Sequence, residues 1–239
     1  HYCSRRQRQM CIRDSLNVNE APVFSNYTPG ALAQILANEN VSDLVTIEAT
    51  DEDGDALLFN ISGTDASAFN ITSSGILTLV SNLDFENPSD NNSDNIYTLT
   101  VTVSDSALSA SVDFALTVQN VNDNAPVISN LPSNTDVSNG QTSVVTITVT
   151  DADNDTAELS LSGVDSSALS ISSDGAIAFN SSPNFASPTD SNGDNVYEFT
   201  VHANDVVHDV TQSATVTVLE TNDPPSFDNL ESSYTVEEN

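Results

Sequence analysis

The chain has almost no positive charge. Its Lys and Arg residues number four, all of them arginines at or before Arg13, against 35 Asp and Glu residues, so the formal net charge is -31. Nucleic acids and anionic lipid surfaces recruit proteins through Lys and Arg, so this composition excludes both as partners. Adaptation to high salt explains part of such a charge. It does not explain why carboxylates recur at fixed offsets beside turns.

Cysteine is absent beyond Cys11, so the body of the chain is not stabilised by disulfides. Both cysteines and the only methionine fall in residues 1–15, together with all the arginines. We interpret residues 1–15 as a non-native leader; a disordered tag and the end of a preceding domain are the alternatives. The chain also lacks any run of about 18 apolar residues, so no membrane-spanning helix and no direct membrane contact is predicted.

A repeat of about the size of one β-sandwich domain organises the rest of the chain. An offset of 100 residues separates matching positions: Asp51 and Asp151, Gly75 and Gly175, Asp105 and Asp205, and Asn122 and Asn222. We therefore divide the chain into a leader at 1–15, repeats at 16–122 and 123–222, and the start of a truncated third repeat at 223–239.

The predicted fold class is all-β, with tandem Greek-key, immunoglobulin-like sandwiches in a linear array. Period-two alternation of Val, Ile and Thr marks strands at 97–103, 143–149 and 214–218. Gly-, Asn- and Asp-rich turns separate such runs. Residues 31–37 have some helical character, but we assign them to a strand or loop because the surroundings are all-β.

Residues 120–126, Asn-Val-Asn-Asp-Asn-Ala-Pro, form the most informative segment. Related segments lie at 17–22 and 220–225. Each is rich in carboxyl and amide oxygens, ends in proline and adjoins a predicted strand. Oxygen ligands of this kind suit Ca²⁺. The loops of a sandwich gather at its two ends, so carboxylates far apart in sequence can converge there.

The combination of motifs resembles the cadherin repeat from about residue 20 to residue 239. The segment at 120–126 resembles the cadherin linker, with Asn120 where the family usually has Asp. Leu83-Asp84-Phe85-Glu86 resembles the family's Leu-Asp-Arg-Glu, and Asp151-x-Asp153 its Asp-x-Asp. Residues 201–205 resemble the late-strand Asp motif, and Glu39-Asn40 the early Glu. The resemblance implies a cluster of calcium ions between consecutive domains.

The resemblance also implies which residues are ligands. The main junction would use Glu39, Asp84, Glu86, Asn122, Asp123, Asn124, Asp151, Asp153 and Asp205. An upstream half-site would keep Asn19, Glu20, Asp51, Asp53 and Asp105. The downstream junction departs from the pattern, with Asn139, Asn184 and Ala186 where carboxylates are expected. We therefore predict fewer ions, or none, and a bend there.

A second set of acidic residues has the D-x-N-x-D spacing of a local calcium loop. Asp190, Asn192 and Asp194 form one copy, and residues 90–94 form the other. No Glu follows at the twelfth position of an EF-hand loop. A solvated Asx-rich turn explains the spacing equally well.

The leading functional hypothesis is an extracellular adhesion or spacer array made rigid by Ca²⁺, carried by a membrane-anchored parent protein. Its partners would be neighbouring repeats, homophilic contacts or another cell-surface protein or glycan, and the lack of Lys favours a bacterial surface. The alternative is a carbohydrate-binding or accessory module of a larger secreted enzyme, with Tyr27 and Tyr234 as candidate sugar contacts. The absence of Trp disfavours it. No catalytic residue is predicted, since His202 and His208 lie in no recognisable triad motif.

Overall fold

The computed structural model describes residues 18–222, which divide into two compact units, one ending at Val121 and the other beginning at Asn122. The leader, Asn17, the start of the third repeat and Tyr234 lie outside the described residues. Within residues 18–222 no helix is long and apolar enough to cross a membrane.

The first unit contains nine strands. A four-stranded sheet has the order β2-β9-β8-β5, a three-stranded sheet has the order β3-β7-β6, and β1 pairs with β4. The strands are β1 Val23–Phe24, β2 Leu32–Asn38, β3 Asp43–Thr46, β4 Ala49–Thr50, β5 Leu58–Ser62, β6 Phe69–Ile71, β7 Ile76–Leu79, β8 Ile96–Ser104 and β9 Ser109–Gln119.

The second unit repeats this plan, with the sheet orders β11-β18-β17-β14 and β12-β16-β15 and the pair β10-β13. Its strands are β10 Val127–Ser129, β11 Asn134–Ser138, β12 Ser143–Thr146, β13 Thr148–Thr150, β14 Glu158–Ser162, β15 Leu169–Ile171, β16 Ala176–Phe179, β17 Val196–Asn204 and β18 Asp209–Leu219. A short 3-10 turn precedes β6 and β15 at Ala66–Ala68 and Ser166–Ala168. The all-β prediction is confirmed.

Alternating apolar residues of the long strands form each core, as the period-two pattern predicts. In β8, Tyr97, Leu99, Val101 and Val103 are buried while their neighbours face outward. Residues 32–38 are a strand, paired in parallel with β9, and not a helix. That parallel pairing brings the start of the unit against its last strand.

The prediction of one continuous strand at 143–149 is wrong, because two strands, β12 and β13, occupy this stretch. β12 pairs with β16 and β13 pairs with β10, so the chain passes from one sheet to another at Ile147. The backbone N–H of Ile147 donates to the carbonyl of Gly175 at the crossover. Gly175 has φ +82°, and a Cβ there would meet the carbonyl oxygen of Ile147. The crossover therefore requires glycine, which alternation alone does not reveal.

Candidate metal sites

Asp153 fixes the linker residues to the second unit. Its Oδ2 accepts the backbone N–H groups of Asp123 at 3.1 Å and Asn124 at 2.8 Å, and its Oδ1 accepts the Asn124 side-chain amide at 3.1 Å. Asn122 donates its side-chain amide to the backbone carbonyl of Asp205 at 3.0 Å. Asn122, Asp123, Asn124, Asp153 and Asp205 are thus gathered at one end of this unit.

Asp151 lies at the same end, directly after β13. Its Oδ1 accepts the N–H of Asp153 at 2.9 Å, whereas its Oδ2 is buried and accepts no hydrogen bond from the described residues. Asp151, Asp153 and Asp155 each offer a carboxylate oxygen, and these oxygens lie within 4.8 Å of one another. Converging carboxylates repel one another unless a cation binds. The sequence offers no Lys or Arg after Arg13, so neither residue type within 18–222 can offset this charge.

Asp205 ends β17 and is only 3% exposed. Its Oδ1 accepts the N–H groups of Val207 and His208, and its Oδ2 lies 3.0 Å from Nδ1 of His208. Burial raises the pKa of Asp205, but the hydrogen bonds from the backbone and ring of His208 and from Val207 outweigh it and hold the pKa below its usual value. The carboxylate is therefore ionised at neutral pH.

The corresponding end of the first unit has a similar arrangement of hydrogen bonds and carboxylates. Asn19 donates its side-chain amide to Asp105 at 2.8 Å, and the N–H of Glu20 donates to Asp53 Oδ2 at 2.9 Å. Oxygens of Asp51, Asp53 and Asp55 lie within 4.8 Å of one another. The Oδ2 atom of Asp51 is buried and has no hydrogen-bond partner in the part of the chain that the structure describes, as in Asp151.

Two carboxyls at this end are shifted in opposite directions. The N–H groups of Leu108 and Ala107 hold the pKa of Asp105 below its usual value. Desolvation, followed by the hydrogen bond and charge of Asp53, raises the pKa of Glu20. The crowded Asp-x-Asp pair therefore disfavours another negative charge in the absence of a cation.

Glu39 follows β2 of the first unit and is 3% exposed. Its Oε2 accepts the N–H of Phe85 at 2.8 Å, and its Oε1 accepts the N–H of Val121 at 2.8 Å. Asp84 and Glu86 flank Phe85, and Asp84 Oδ1 accepts the N–H of Asn87 at 2.9 Å. Glu39 therefore ties this predicted ligand segment to the last residue of the unit.

The D-x-N-x-D loop of the second unit is held by its own hydrogen bonds. Asp190 accepts the N–H groups of Asp194 at 2.8 Å and Asn195 at 3.3 Å. Asp194 accepts the N–H of Val196 at 2.8 Å and the side-chain amide of Asn192 at 2.9 Å. These contacts support the turn without metal, and they leave a local ion as a prediction.

The sequence alone does not predict the role of two buried carboxylates, Asp65 and Asp165. Asp165 accepts the N–H groups of Ser191 at 2.7 Å and Glu198 at 2.9 Å, and Asp65 makes the equivalent contacts in the first unit. They anchor the D-x-N-x-D loop to the following strand. Their recurrence at an offset of 100 residues was the available signal, but the partner N–H groups follow only from the fold.

His202 joins an unforeseen side-chain relay. Its Nε2 lies 2.7 Å from Ser162 Oγ and its Nδ1 lies 3.1 Å from Asp209 Oδ2, across β14, β17 and β18. The connectivity is that of a Ser-His-Asp relay, but the same face of the first unit carries the ordinary cross-strand pair Thr102 and Ser111 at 2.9 Å. We interpret the relay as a polar cross-strand contact, because its side-chain contacts lie on the exposed face of the sheet where the first unit has such a pair.

Tyr27, a candidate sugar contact, packs into the first unit. Its ring lies edge-on to Phe114 with the centroids 4.8 Å apart. Burial raises the pKa of the Tyr27 hydroxyl. This aromatic ring contributes to the core and is not a free stacking platform.

Solved cadherin structures are similar to most of the chain. Drosophila N-cadherin EC1-4 matches with 30% identity over 85% of this chain and 50% of that chain, at a TM-score of 0.65. The chain is built from cadherin-like repeats. It spans half of that solved N-cadherin chain.

More distant cadherins share the fold. Human protocadherin-24 EC1-2 matches at 22% identity over 84% of this chain and all of that chain, with a TM-score of 0.62. Mouse cadherin-23 EC22-24 matches at 22% identity over 84% of this chain and 65% of that chain, with a TM-score of 0.60. No protein-family model and no curated protein matches the sequence.

Proposed function

We propose that these cadherin-like repeats bind Ca²⁺ and serve as an extracellular adhesion or spacer array that the bound ions make rigid. The ions would lie where consecutive repeats join. The parent protein would present the array at a cell surface, and the Lys-free composition favours a bacterial one. Its partners would be neighbouring repeats and another surface protein or glycan.

The observation that carries the proposal is the repeated, unpartnered oxygen of the Asp-x-Asp motif. Within residues 18–222, Asp51 Oδ2 and Asp151 Oδ2 are each buried without a hydrogen bond, beside two further carboxylates. Burying a charged oxygen without a partner is costly, so a ligand is expected. Ca²⁺ takes roughly six to eight oxygen ligands at about 2.3–2.6 Å, and the surrounding donors are all oxygens.

The first unit would complete the main junction through three further carboxylates. Glu39, Asp84 and Glu86 match the cadherin ligand motifs, and Glu39 already contacts Val121, which is bonded directly to Asn122. Asn122, Asp123 and Asn124 would supply ligands from the linker. Ions shared between the residues before and after Val121 would restrict the hinge at the linker.

A calcium titration followed by thermal unfolding tests the proposal. Binding to the folded state alone adds about 2.7 kcal/mol at a hundredfold excess over Kd, so Ca²⁺ should raise the Tm and EDTA should lower it. Asp151→Ala should reproduce the EDTA result in the presence of Ca²⁺. Identical melting curves across millimolar calcium would reject Ca²⁺ binding.

The downstream joint provides a second test. Asn139, Asn184 and Ala186 leave it with fewer carboxylates, so we propose that it binds fewer ions and bends. Small-angle scattering of a longer recombinant chain should report flexibility at residues 220–225. A rigid rod in Ca²⁺ would contradict this part of the proposal.

The alternative of a sugar-binding accessory module has less support. Sugar-binding sandwiches use exposed aromatic rings, whereas Tyr27 packs against Phe114. Glycan-array binding that is lost in Tyr27→Ala, with the Tm unchanged, would favour this alternative. We propose no enzymatic activity.

A further inference from the structure

We propose that Asn192-Gly193 is a site of spontaneous deamidation in the folded protein, selected by the structure over the other Asn-Gly sequence of the chain. The reaction needs only water. The Gly193 backbone nitrogen loses its proton to water and attacks Asn192 Cγ, and the Cγ–Nδ2 bond breaks as Nδ2 takes up a proton from water and leaves as ammonia. Water then opens the resulting succinimide at one of its two carbonyls, giving aspartate or isoaspartate.

The availability of the attacking nitrogen distinguishes this site. The described chain has two Asn-Gly pairs, and at the other one, Asn139-Gly140, the Gly140 N–H donates to the carbonyl of Pro183 at 2.9 Å. The Gly193 N–H makes no hydrogen bond within the described residues. A nitrogen held in a hydrogen bond must break it before it can lose its proton and attack.

The two Asn side chains are also held differently. Asn139 Oδ1 accepts the N–H of Phe185 at 3.0 Å, which directs the side chain to a different segment. Asn192 turns toward its own backbone: its Oδ1 accepts the N–H of Asp194 at 3.2 Å and its Nδ2 donates to Asp194 at 2.9 Å. Both contacts are with the residue after Gly193, so the Asn192 side chain folds along its own backbone, whereas the Asn139 side chain is directed to another segment.

Solvent access to the asparagine favours the same site. Asn192 is exposed, whereas Asn139 is half-buried. Among the described residues beyond the chain neighbours, no atom lies within 4 Å of the position a Cβ would take on either Gly193 or Gly140, so space for the five-membered ring does not distinguish the two sites. The equivalent pair in the first unit is Asn92-Ser93, in which the Ser93 N–H donates to the carbonyl of Asp90.

Deamidation changes the loop in either product. An aspartate at 192 replaces the amide that now donates to Asp194, so two carboxylates face each other where a hydrogen bond stood. Isoaspartate adds a methylene to the backbone between Asp190 and Asp194, whose contacts define the turn. Both products should loosen the segment that leads into β17.

The experiment follows amide loss by peptide mass spectrometry in the whole chain incubated at mildly alkaline pH. Cleavage after aromatic residues gives matched peptides, 186–197 with Asn192 and 86–97 with Asn92. The acid form should accumulate several-fold faster at Asn192 than at Asn139 or Asn92. In urea, the two Asn-Gly sites should react at similar rates, because the hydrogen bonds that distinguish them are absent.

Gly193→Ser provides the matched variant. Ser93 occupies this position in the first unit with φ +58°, and Gly193 has φ +75°, so serine fits the loop. The variant should slow amide loss at residue 192 several-fold and leave Asn139 unchanged. Equal rates at Asn192 and Asn139 in the folded chain, or faster loss at Asn139, would overturn the proposal.

Discussion

The Oδ1 atom of Asn139 accepts a hydrogen bond from the backbone N–H of Phe185 at 3.0 Å. In the first unit, Oε2 of Glu39 accepts the equivalent hydrogen bond from Phe85 at 2.8 Å. The second unit thus keeps the hydrogen bond and lacks the charge. The contact contributes to the fold of each unit, whereas the proposed cation would require the charge, so mutation can test the two roles separately.

Glu39→Asn gives the first unit the residue that the second unit has at the equivalent position, Asn139. In EDTA we expect a loss of about 1 kcal/mol, because the Val121 N–H loses its acceptor while the Phe85 contact is kept. In Ca²⁺ the loss should be larger, since a ligand charge is missing. The measurement is the difference in Tm between Ca²⁺ and EDTA. Glu198→Gln, on the exposed face of β17, is the control, and an unchanged Ca²⁺-dependent difference in Glu39→Asn would exclude Glu39 as a ligand.

Asp151→Asn tests the role of Asp151 Oδ2, the buried carboxylate oxygen that has no hydrogen bond within the described residues. Its Oδ1 contact with Asp153 can be kept by the asparagine oxygen, while one of the three crowded charges is removed. The variant should be as stable as the wild type or more stable in EDTA, and less stabilised by Ca²⁺. Melting curves and calorimetric titration measure both effects. Asp136→Asn, exposed on β11, is the matched control and should leave Ca²⁺ binding intact.

Much of the fold could be predicted because it depends on patterns that are visible in the sequence itself. Alternation marks β8 and the second half of β18, and the offset of 100 residues marks the repeat. The crossover at Ile147 could not be predicted, because alternation continues through it while the hydrogen-bonding partners change. Only the approach of Gly175 to Ile147 reveals why the strand divides.

The candidate site could likewise be predicted only in part. The motifs predict Asp151, Asp153 and Asp205 as ligands of one site; the structure gathers the three residues at one end of the second unit, and their role as ligands stays a prediction. Spacing did not reveal the contact between His208 and Asp205, which depends on a loop conformation. The approach of Ser162 to His202 depends on strand register, which a single sequence does not specify.

Acidification should destabilise the calcium-free protein through Asp205. Its pKa is lowered on folding, so its contribution to stability is present above the unfolded pKa of about 3.9 and is lost as the pH falls through the folded pKa. Asp205→Asn should therefore flatten the acid limb of a plot of Tm against pH in EDTA. An equally steep acid limb in this variant would contradict the assignment.

Glu20 should contribute to the pH dependence of stability with the opposite sign. Its pKa is raised on folding, so its contribution is present below the unfolded pKa of about 4.3 and is lost as the pH rises through the folded pKa. Glu20→Gln should accordingly raise the Tm at neutral pH in EDTA and change it little in acid. Thermal unfolding at the two pH values checks this, and a lowered neutral Tm would contradict it.

Gly175→Ala should destabilise the second unit by more than about 2 kcal/mol. Alanine would combine a strained positive φ with a clash against the Ile147 carbonyl at the crossover. Gly140→Ala is the control, because Gly140 has the same φ of +82° and nothing within 4 Å of a Cβ. It should cost only the strain of about 1 kcal/mol. Equal losses in urea unfolding would mean that the close approach is unimportant.

Val206 is a β-branched residue in a conformation that favours glycine. It has φ +86° and is 93% exposed, so it bears backbone strain without contributing to the core. Val206→Gly should stabilise the folded unit by up to about 1 kcal/mol, because relief of the strain outweighs the greater freedom of glycine in the unfolded chain. Val207→Gly, at an exposed neighbour without positive φ, should instead destabilise it. Urea unfolding of the two variants in EDTA measures the contrast, and a loss of stability in Val206→Gly would show that the valine side chain contributes contacts that exceed the strain.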